Sequence, residues 1–583
     1  MTRRTDGCVI VGNAEPLGPY PVRLTAWLEH WAVAAPDRCF LAERSGSDWR
    51  RISYAETLAS VRALTQALLA RPLDATRPVA ILSGNGIEHA LLALACLHAG
   101  IPYAPVSTAY SLLSEDFARL RHVLGLLTPG LVFADDGARY AAALSRAAGA
   151  EIVCLRNPPP GATPFDELRA TVPGDSVAVA AARVGPDTIA KVLFTSGSTG
   201  VPKGVINTHR MLCANQQMLV QSYPFLAETP PVLVDWLPWS HTFGGNHNLG
   251  LVLARGGTLH IDDGRPVPGG IAATVRNLCE VAPTVYFNVP RGYEVLLEHL
   301  RADAVLRRHF FSRLRMLFYA GASLPAPVWA AYEAMAVETT GTRIQWMTGL
   351  GATETAPFAL SAHPAHVAAG VIGLPCPGVS LKLVPADGKL EARFCGDNIT
   401  PGYWRDPVQT AAAFDAEGFY CMGDALSWVD VGDPTPGLRF DGRIAEDFKL
   451  ATGTWVNVGT LRARLIAGLA PLVRDVVIAG HDRGFLTALA ILADGIGNDG
   501  ETDAALVTRL SALASTARGS SERVCRLALL NAPLSIDAGE ITDKGSLNQH
   551  RLLARHAALV ASLYAEPPPS HVICAVEETV HAA

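Results

Sequence analysis

The most constraining feature of the sequence is a glycine-rich segment between a short apolar run and a helical pattern. Residues 194–205 read FTSGSTGVPKGV and continue the apolar run AKVLF. Gly197 and Gly200 allow positive φ, so that successive backbone N–H groups can turn towards one anion, while the hydroxyl side chains and Lys203 add donors and a positive charge. The spacing is not that of a Walker A loop, in which the lysine follows its glycine directly. We predict a strand before this segment and a helix from about residue 205 to 220, a recurrent setting for polyphosphate.

Length and composition bound the class of protein. A chain of 583 residues is too long for one core, and 49% hydrophobic with 17% charged residues is typical of globular domains. A net charge of −6 gives no electrostatic footprint for nucleic acid. The apolar runs are too short or too polar for a membrane span or a signal peptide, and the 11 cysteines form no C-x-x-C pair. We expect a cytoplasmic protein without nucleic-acid or membrane partners; the oligomeric state is left open.

The alternation of apolar runs and helical stretches predicts an α/β fold. Short Val/Ile/Leu runs alternate with Ala/Leu-rich stretches from about residue 20 to 440, and residues 77–106 read as one strand–helix–strand unit. Between 371 and 440 the pattern changes to strands punctuated by glycine and proline. We predict a large N-terminal domain of helix-flanked β-sheets with a β-rich subdomain, followed by a small mobile α+β C-terminal domain. The predicted bounds are 1–442 for the first domain, 443–447 for a hinge and 448–583 for the second domain.

Four further turns carry residues suited to nucleotide chemistry. TGLGATETAP places Glu354 in a glycine-flanked turn, and a carboxylate near a phosphate loop is what Mg²⁺ requires. GFYCMGDAL places Asp424 after a glycine, where its carboxylate can accept both ribose hydroxyls. FDGRIAEDFK contains Arg443, and GEITDKGSLNQHRLL contains Lys544. Singly, each turn has a plain interpretation as a solvated turn, a surface ion-pair cluster or the start of a helix.

In this order and spacing, the five motifs resemble the adenylate-forming superfamily. That superfamily comprises acyl-CoA synthetases, firefly-type luciferases and the adenylation domains of peptide synthetases. LPWSHTFGG at 237–245 and YAGASLP at 319–325 fill two further family positions. A narrower resemblance, to bacterial feruloyl-CoA synthases, is carried by blocks such as ATETAP, EDFKLATGTWV and GEITDKGSLNQ.

The resemblance implies which residues contact the nucleotide. The ATP β- and γ-phosphates would be held by Thr195, Ser196, Gly197, Ser198, Thr199, Gly200 and Lys203. Gly321 and Ala322 would lie against adenine, and Asp424 and Arg443 would contact the ribose. One departure is Leu350, which stands where relatives often carry an aromatic residue that stacks on adenine; apolar contact survives, but not the stacking contribution of about 1 kcal/mol.

The resemblance also implies the catalytic residues. Thr353 would contact phosphate, Glu354 would bind Mg²⁺, and His241 would lie near the acyl carboxylate and gate the entry of the thiol. Lys544 would bridge the carboxylate and the α-phosphate during adenylation and would then leave, so that the thiol can attack; this makes a mobile C-terminal domain a chemical requirement. At the hinge, Ala445 stands where relatives usually have Asp or Lys, so that the pivot is Ala445 or one of the two acidic residues that follow it.

The implied reaction converts a carboxylic acid, ATP and CoA into acyl-CoA, AMP and pyrophosphate, with Mg²⁺. The resemblance to feruloyl-CoA synthases implies an aryl acid such as ferulate or coumarate, and a pocket lined by small residues, which forms a slot for a flat ring, agrees with it. Those small residues are Gly245, Gly321, Gly349, Gly351 and Ala352. Asn246 or His247 would meet a phenolic hydroxyl or a methoxy group, or would be a satisfied interior polar residue. Alternatives are another acceptor such as a carrier protein or oxygen, a fatty acid as substrate, and a non-catalytic nucleotide-binding protein.

Overall fold

The computed structural model describes residues 1–196, 201–386, 388–493, 495–542 and 545–576. The chain divides into two compact units. The first comprises Met1–Val384, Ala392–Met422 and Trp428–Arg439, and the second comprises Pro385–Glu391, Gly423–Ser427 and Phe440–Ala583. The predicted α/β class, with a large sheet-rich N-terminal part and a smaller C-terminal part, is confirmed. The predicted domain bounds and the hinge at 443–447 stay predictions.

The strands within the described residues are, in chain order, β1 Thr2–Arg3, β2 Val9–Gly12, β3 Cys39–Ser45, β4 Asp48–Ser53, β5 Val79–Leu82, β6 Tyr103–Pro105, β7 Leu131–Asp136, β8 Glu151–Arg156, β9 Thr163–Pro164, β10 Ile189–Ser196, β11 Pro202–Thr208, β12 Val232–Asp235, β13 Thr258–Ile261, β14 Val285–Asn288, β15 Met316–Tyr319, β16 Gln345–Leu350, β17 Leu360–Ser361, β18 Val371–Pro375, β19 Ser380–Ala386, β20 Lys389–Cys395, β21 Tyr420–Trp428, β22 Leu438–Arg443, β23 Phe448–Lys449, β24 Trp455–Val456, β25 Val473–Ala479, β26 Leu486–Leu492, β27 Val524–Leu529 and β28 Val572–Cys574.

The helices of the same ranges are, in chain order, α1 Thr25–Ala34, α2 Tyr54–Leu69, α3 Ile87–Ala99, α4 Thr108–Leu112, α5 Ala118–Leu127, α6 Ala141–Leu144, α7 Phe165–Arg169, α8 Asp175–Arg183, α9 His209–Ser222, α10 Leu249–Arg255, α11 Ile271–Glu280, α12 Pro290–Ala302, α13 Ala304–Phe311, α14 Ala326–Thr340, α15 Pro407–Ala412, α16 Val458–Leu469, α17 Gly500–Ser515, α18 Gln549–Arg555 and α19 Ala557–Ser562. A π-helix spans Phe243–Asn248 and precedes α10 directly. Within the described ranges, no helix combines the length and the apolar character that crossing a membrane requires.

The predicted strand–helix–strand unit at 77–106 is confirmed as β5, α3 and β6. All four residues of β5 are buried, and β5 pairs in parallel with β6 and β7. The helix α3 ends at Ala99 and is capped by Gly100, whose φ of +72° is a left-handed conformation that glycine adopts without strain. These strands belong to a seven-stranded sheet in the order β11-β10-β6-β5-β7-β8-β9, so that the predicted phosphate segment lies at one edge of a mainly parallel sheet.

One prediction about the glycine-rich segment is wrong. The helix expected from about residue 205 begins at His209, because 202–208 form β11, which pairs antiparallel with β10. Gly204 sits where this hairpin is crowded, since a Cβ there would lie 2.8 Å from the side chain of Val192 and 3.2 Å from that of Trp404. Strand β11 therefore takes the place of the predicted start of the helix, and α9 begins only after this strand, with Thr208 as its N-cap.

A second sheet carries the predicted positions Glu354, which follows β16, Asp424, which lies in β21, and Arg443, which ends β22. It has the order β1-β2-β19-β20-β21-β22-β18-β17-β16-β15-β14, in which β14, β15 and β16 pair in parallel. The strands predicted between 371 and 440 are present as β18 to β22. A buried aromatic cluster joins Trp346 of β16 to Tyr293 of α12 and Tyr332 of α14, and so packs these helices against the sheet.

The C-terminal sheet of the second unit has helices on both of its faces. Its strand order is β25-β26-β27-β28. Along β25, Val476 and Ile478 pack with the side chains of α16 and α17, whereas the intervening Val477 packs with those of α18 and α19. This alternation follows from the two-residue period of a strand and gives the unit two apolar layers around one sheet. The α+β character predicted for the last 140 residues is confirmed.

Candidate active site

The β10–β11 hairpin brings Thr195 and Lys203 opposite each other. The two residues are partners in the strand register, and Ser196 opposes Pro202. The hydroxyl of Thr195 is buried and has no hydrogen-bond partner among the residues that the structure describes, so that it is available to a ligand oxygen. The predicted loop residues Gly197, Ser198, Thr199 and Gly200 lie outside the described residues.

Lys203 and Glu354 form an ion pair, although 151 positions of sequence separate them. The Lys203 ammonium lies 3.1 Å from Oε1 of Glu354, whose side chain is 7% exposed. Burial opposes the charge on Lys203, but the Glu354 carboxylate and a hydrogen bond to Tyr403 outweigh it and raise the pKa of Lys203. The predicted phosphate lysine and the predicted metal ligand are therefore brought together within the first unit.

Tyr403 completes this cluster and was missed in the sequence. Its hydroxyl donates to Oε1 of Glu354 at 3.0 Å and accepts from the Lys203 ammonium, which also lies 4.0 Å from the centre of its ring. Burial and the Glu354 carboxylate raise the pKa of Tyr403. The same two causes raise the pKa of Tyr420, whose position in the GFYCMGDAL motif was a signal that could have been used. Tyr403 had no such signal beyond a Pro-Gly turn before it.

The turn that carries Thr353 and Glu354 is held by its own backbone contacts. Both residues are buried in a short 3₁₀ turn after β16, and the Glu354 carbonyl accepts from the Thr400 backbone N–H at 2.8 Å. A Cβ on Gly351 would lie 1.4 Å from the carbonyl oxygen of Pro357, so that only glycine fits there. Backbone packing thus explains this glycine without reference to a substrate.

The predicted adenine stretch lies at the same sheet edge as this turn. Gly321 and Ala322 are exposed and follow β15, as the Thr353 turn follows β16. Tyr319 and Thr348 are partners in the register of the two parallel strands. Carboxyl ends of adjacent parallel strands form the usual crevice for ligands in α/β proteins, and Gly321, with φ of +88°, turns the chain there.

Asp424 and Arg443 lie together in the second unit. The Arg443 guanidinium Nε is 3.4 Å from Oδ1 of Asp424, which is buried while Arg443 is largely exposed. Next to them, the buried carboxylate of Asp447 pairs with the Lys389 ammonium and accepts from the Val458 backbone N–H at 3.0 Å. The carboxylate and the guanidinium predicted to contact one ribose are thus neighbours. Lys544 lies outside the described residues.

His241 lies two residues before the π-helix, which begins at Phe243. Its backbone N–H donates to the Pro238 carbonyl at 3.0 Å, and its carbonyl accepts from the Gly245 N–H at 2.8 Å. A Cβ on Gly244 would lie 2.3 Å from the Leu237 carbonyl oxygen, and one on Gly245 would lie 2.4 Å from that of Trp239. Because they lack a Cβ, the two glycines allow the π-helix to pack closely against the backbone of residues 237–239. Helices of this type are rare and are frequent at functional sites.

His247 is buried among phenylalanine rings. Its ring centre lies 5.0 to 6.0 Å from those of Phe243, Phe287, Phe318 and Phe358. Burial lowers the pKa of His247 to about 4, so that the imidazole is neutral at physiological pH. Its Nδ1 lies 2.9 Å from Oδ1 of Asn248, whereas its buried Nε2 has no partner among the described residues.

The neighbours of His247 define its tautomer. The Asn248 amide donates through Nδ2 to a carboxylate oxygen of the buried Asp235 at 2.9 Å, which leaves Asn248 Oδ1 as an acceptor. His247 Nδ1 must therefore carry the proton and donate it to Asn248. Nε2 is left as an unprotonated acceptor that faces no donor of the described chain.

Sequence comparisons place these features in a known group. AMP-binding enzymes match residues 28–404. A methyl-dioxo-octahydroindenyl-propanoyl:CoA ligase of Mycobacterium tuberculosis is 30% identical over 410 residues, which cover 68% of this chain and 75% of that one. A feruloyl-CoA synthase of an Amycolatopsis species is 29% identical over 428 residues, which cover 70% of this chain and 76% of that one.

Comparison with solved structures agrees at the level of the fold. The structure of the anthranilate CoA ligase AuaEII in complex with anthranoyl-AMP matches with a TM-score of 0.74 at 20% identity, over 94% of this chain and 99% of that one. The matched family covers the hairpin, His241, the 321–322 turn and Glu354, which are the positions that the motifs predicted. This chain therefore belongs to the AMP-binding enzymes, the adenylate-forming superfamily whose acyl-CoA ligases activate a carboxylic acid as its adenylate.

Proposed function

We propose that the protein is a Mg²⁺-dependent ligase that joins an aryl carboxylic acid to CoA, with ATP converted to AMP and pyrophosphate. The observation that carries the proposal is the cluster of Lys203, Glu354 and Tyr403 beside the hairpin and strand-end turns. A carboxylate attacks an anionic α-phosphate in the first step, so that the site needs positive charge where the two anions meet. Lys203 supplies one such charge, and Lys544 is proposed to supply another.

The donor set of the cluster fits a magnesium ion. Mg²⁺ is usually bound by one or two carboxylates, with phosphate oxygens and waters as its other ligands. Glu354 offers one buried carboxylate and Thr353 a neighbouring hydroxyl, while no cluster of three or more His, Cys, Asp or Glu side chains that could hold a metal occurs in the described ranges. Glu354 would hold the ion, which when bound would neutralise charge on the phosphates. In the absence of nucleotide, Lys203 balances the charge of the Glu354 carboxylate.

The aryl specificity is supported by the environment of His247. Four phenyl rings surround an imidazole whose Nε2 can only accept a hydrogen bond. A buried acceptor without a donor is unfavourable, so a ligand that supplies an O–H group there would be bound more tightly. A phenolic acid supplies both a ring and such a donor. Several relatives are named for ring-bearing acids, among them feruloyl and octahydroindenyl-propanoyl groups, while a human relative is named for long-chain fatty acids.

The small residues support a slot for a flat ring less strongly than expected. Gly245, Gly349 and Gly351 each lie within 2.4 Å, measured from an added Cβ, of a neighbouring carbonyl oxygen. These glycines are required by backbone packing whatever the acid. Nδ2 of Asn246 already donates to Asn207 and Thr242. Its buried Oδ1, like Nε2 of His247, has no partner among the described residues, so that both residues offer an acceptor to a hydroxyl on the acid.

The proposal is tested with matched acids that differ by one hydroxyl. The purified protein is assayed with coumarate, cinnamate, ferulate, acetate and palmitate for AMP release and for thioester formation with CoA. We expect coumarate or ferulate to give the highest kcat/KM, with a thioester as product. Palmitate or acetate as the best substrate contradicts the aryl assignment, and AMP release without thioester indicates another acceptor.

A variant at His247 tests the specificity directly. His247→Phe keeps an aromatic ring in the cluster and removes the acceptor, so that the preference for coumarate over cinnamate should fall by about tenfold, the value of one hydrogen bond. His247→Gln, which keeps an acceptor, should retain part of the preference. An unchanged coumarate-to-cinnamate ratio in both variants would show that Nε2 does not meet the substrate.

A further inference from the structure

Lys191 is a buried lysine that the proposed chemistry does not use. It lies in β10 with 2% of its surface exposed. Its ammonium donates to the Gly245 carbonyl at 3.3 Å and lies 5.4 Å from the centre of the Tyr103 ring. No carboxylate of the described residues forms an ion pair with it, and burial lowers its pKa to about 7.

The surroundings of Lys191 do not compensate for its polarity. It faces a cavity of about 20 Å³, room for a single water molecule. The cavity walls are mainly apolar and include Leu24, Phe40, Leu94, Leu97, Leu212 and Leu253. Placing an amine here is unfavourable, since its ammonium form loses hydration and gains no counter-charge. The hydrogen bond to the Gly245 carbonyl is therefore the interaction that requires a lysine at this position.

Lys191 has a polar partner on the neighbouring strand. Asn207 of β11 is its direct partner in the hairpin register, and is fully buried. Asn207 Oδ1 accepts from Nδ2 of Asn246 at 2.7 Å, and the same Nδ2 also lies 3.1 Å from the Thr242 hydroxyl. Each of the two strands that flank the predicted phosphate loop thus forms a hydrogen bond with one residue of the π-helix, β10 with Gly245 and β11 with Asn246.

These contacts reach His241 through the backbone. Lys191 holds the Gly245 carbonyl, and the Gly245 N–H donates to the His241 carbonyl at 2.8 Å. From α9, Gln216 adds a hydrogen bond at 2.8 Å to the Asn246 carbonyl. Main-chain carbonyls in a π-helix are not all used by the regular helical ladder, so side-chain donors can fix its position.

We propose that Lys191 and Asn207 are positioning residues that hold the π-helix against the phosphate hairpin and thereby set the affinity for the carboxylic acid. The inference rests on the proposed function, because it takes residues 241–247 as part of the acid site. These two cross-strand neighbours would then couple the predicted nucleotide loop to the acid site. Neither residue contacts the reacting atoms.

The experiment uses acid-dependent ATP–pyrophosphate exchange with the acid that the wild-type protein adenylates fastest. Lys191→Met keeps the length of the side chain and removes the donor. We expect the KM for the acid to rise by about tenfold, the effect of one strong hydrogen bond, with less than about a threefold change in the KM for ATP. Asn207→Leu should give the same pattern, and the double variant should show less than the product of the two effects, because both act on one π-helix.

Lys382→Met is the matched control. Lys382 is also buried but pairs with Asp415 and Glu417, outside the proposed site. This control should leave the acid KM unchanged. An acid KM within about twofold of wild type in both Lys191→Met and Asn207→Leu overturns the proposal, as does an equal rise in the KM values for acid and ATP. If the wild-type protein adenylates none of the acids, the proposed function fails instead, so that the two failures are distinguishable.

Discussion

The two lysines of the β10–β11 hairpin have opposite environments. Lys203, on the second strand, lies against a carboxylate and a tyrosine hydroxyl, and these partners raise its pKa. Lys191, on the first strand, contacts one carbonyl in an apolar cavity, and burial lowers its pKa to about 7. The same residue type thus serves as a charge in one place and as a neutral or weakly charged donor in the other.

The difference indicates what each position contributes. A lysine that must exchange a carboxylate partner for phosphate needs a permanent charge and room to move, and Lys203 is partly exposed. A lysine that holds a backbone segment needs a fixed geometry, and Lys191 has almost no exposed surface. Removal of Lys203 should therefore affect the chemical step, whereas removal of Lys191 should affect binding of the acid.

The largest expected effect concerns a third lysine, Lys544, which we expect to act in adenylation but not in thioester formation. Lys544→Ala should reduce acyl-AMP formation from acid and ATP by about 100- to 1000-fold, because the ammonium stabilises charge while carboxylate and α-phosphate meet. Conversion of supplied acyl-AMP and CoA to thioester should be spared. Pyrophosphate release and thioester formation are measured on the same purified variant. Equal losses in both assays would contradict an alternating role for Lys544.

The next effect separates the two hairpin lysines. Lys203→Met should lower kcat for adenylation by about 100-fold, since a charge that acts on the phosphates is lost. Lys203→Arg should recover only part of the rate, because a planar guanidinium does not replace a compact ammonium. Steady-state pyrophosphate exchange gives kcat and both KM values. The distinction between the two lysines is lost if Lys203→Met and Lys191→Met change the same parameter by the same factor.

The last effect is on stability and depends on pH. Because the folded-state pKa of Lys191 lies near 7 and the ordinary value is 10.5, the unfolded chain binds more protons between these values. Wild-type stability should therefore rise with pH in this window, and Lys191→Met should remove that rise. The free energy of unfolding of the variant, relative to that of the wild type, should therefore be about 3 kcal/mol higher at pH 7 than at pH 10.

Urea unfolding followed by tryptophan fluorescence measures this difference, since every tryptophan except Trp455 belongs to the first unit. Lys203→Met provides the contrast, because it leaves the buried Glu354 without its ammonium and should lower stability near neutral pH. A pH-independent difference between Lys191→Met and wild type would mean that Lys191 is charged in the folded protein.

Local patterns predicted the elements that depend on neighbouring residues. The β5–α3–β6 unit followed from an apolar run, a helical stretch and a second run, and the structure confirms it. The prediction of a helix from about residue 205 is wrong for the end of β11, where Val205 and Ile206 lie directly before the helical pattern of α9. Their β-branched side chains favour a strand, and pairing with β10 decides the outcome.

The parts of the site that sequence could not give depend on distant partners. Tyr403 meets Lys203 across 200 positions of sequence, and no spacing rule connects them. The π-helix depends on Gly244 and Gly245 lying against the carbonyls of 237–239, a contact that two glycines alone do not reveal. The roles of Glu354, Asp424 and Lys544 came from the family resemblance, and their chemical assignments stay predictions.

The π-helix, which we propose to be part of the acid site, makes the direction of its side chains depend on the length of the segment. A π-turn holds one residue more than an α-turn, and each residue of an α-helix is rotated by about 100° from the last. Deletion of one residue between 243 and 248 would restore a regular helix continuous with α10 and turn every preceding side chain to a new direction. A change in the length of this segment would therefore redirect the proposed recognition of a ring and a hydroxyl, while the hairpin and the sheet stay as they are.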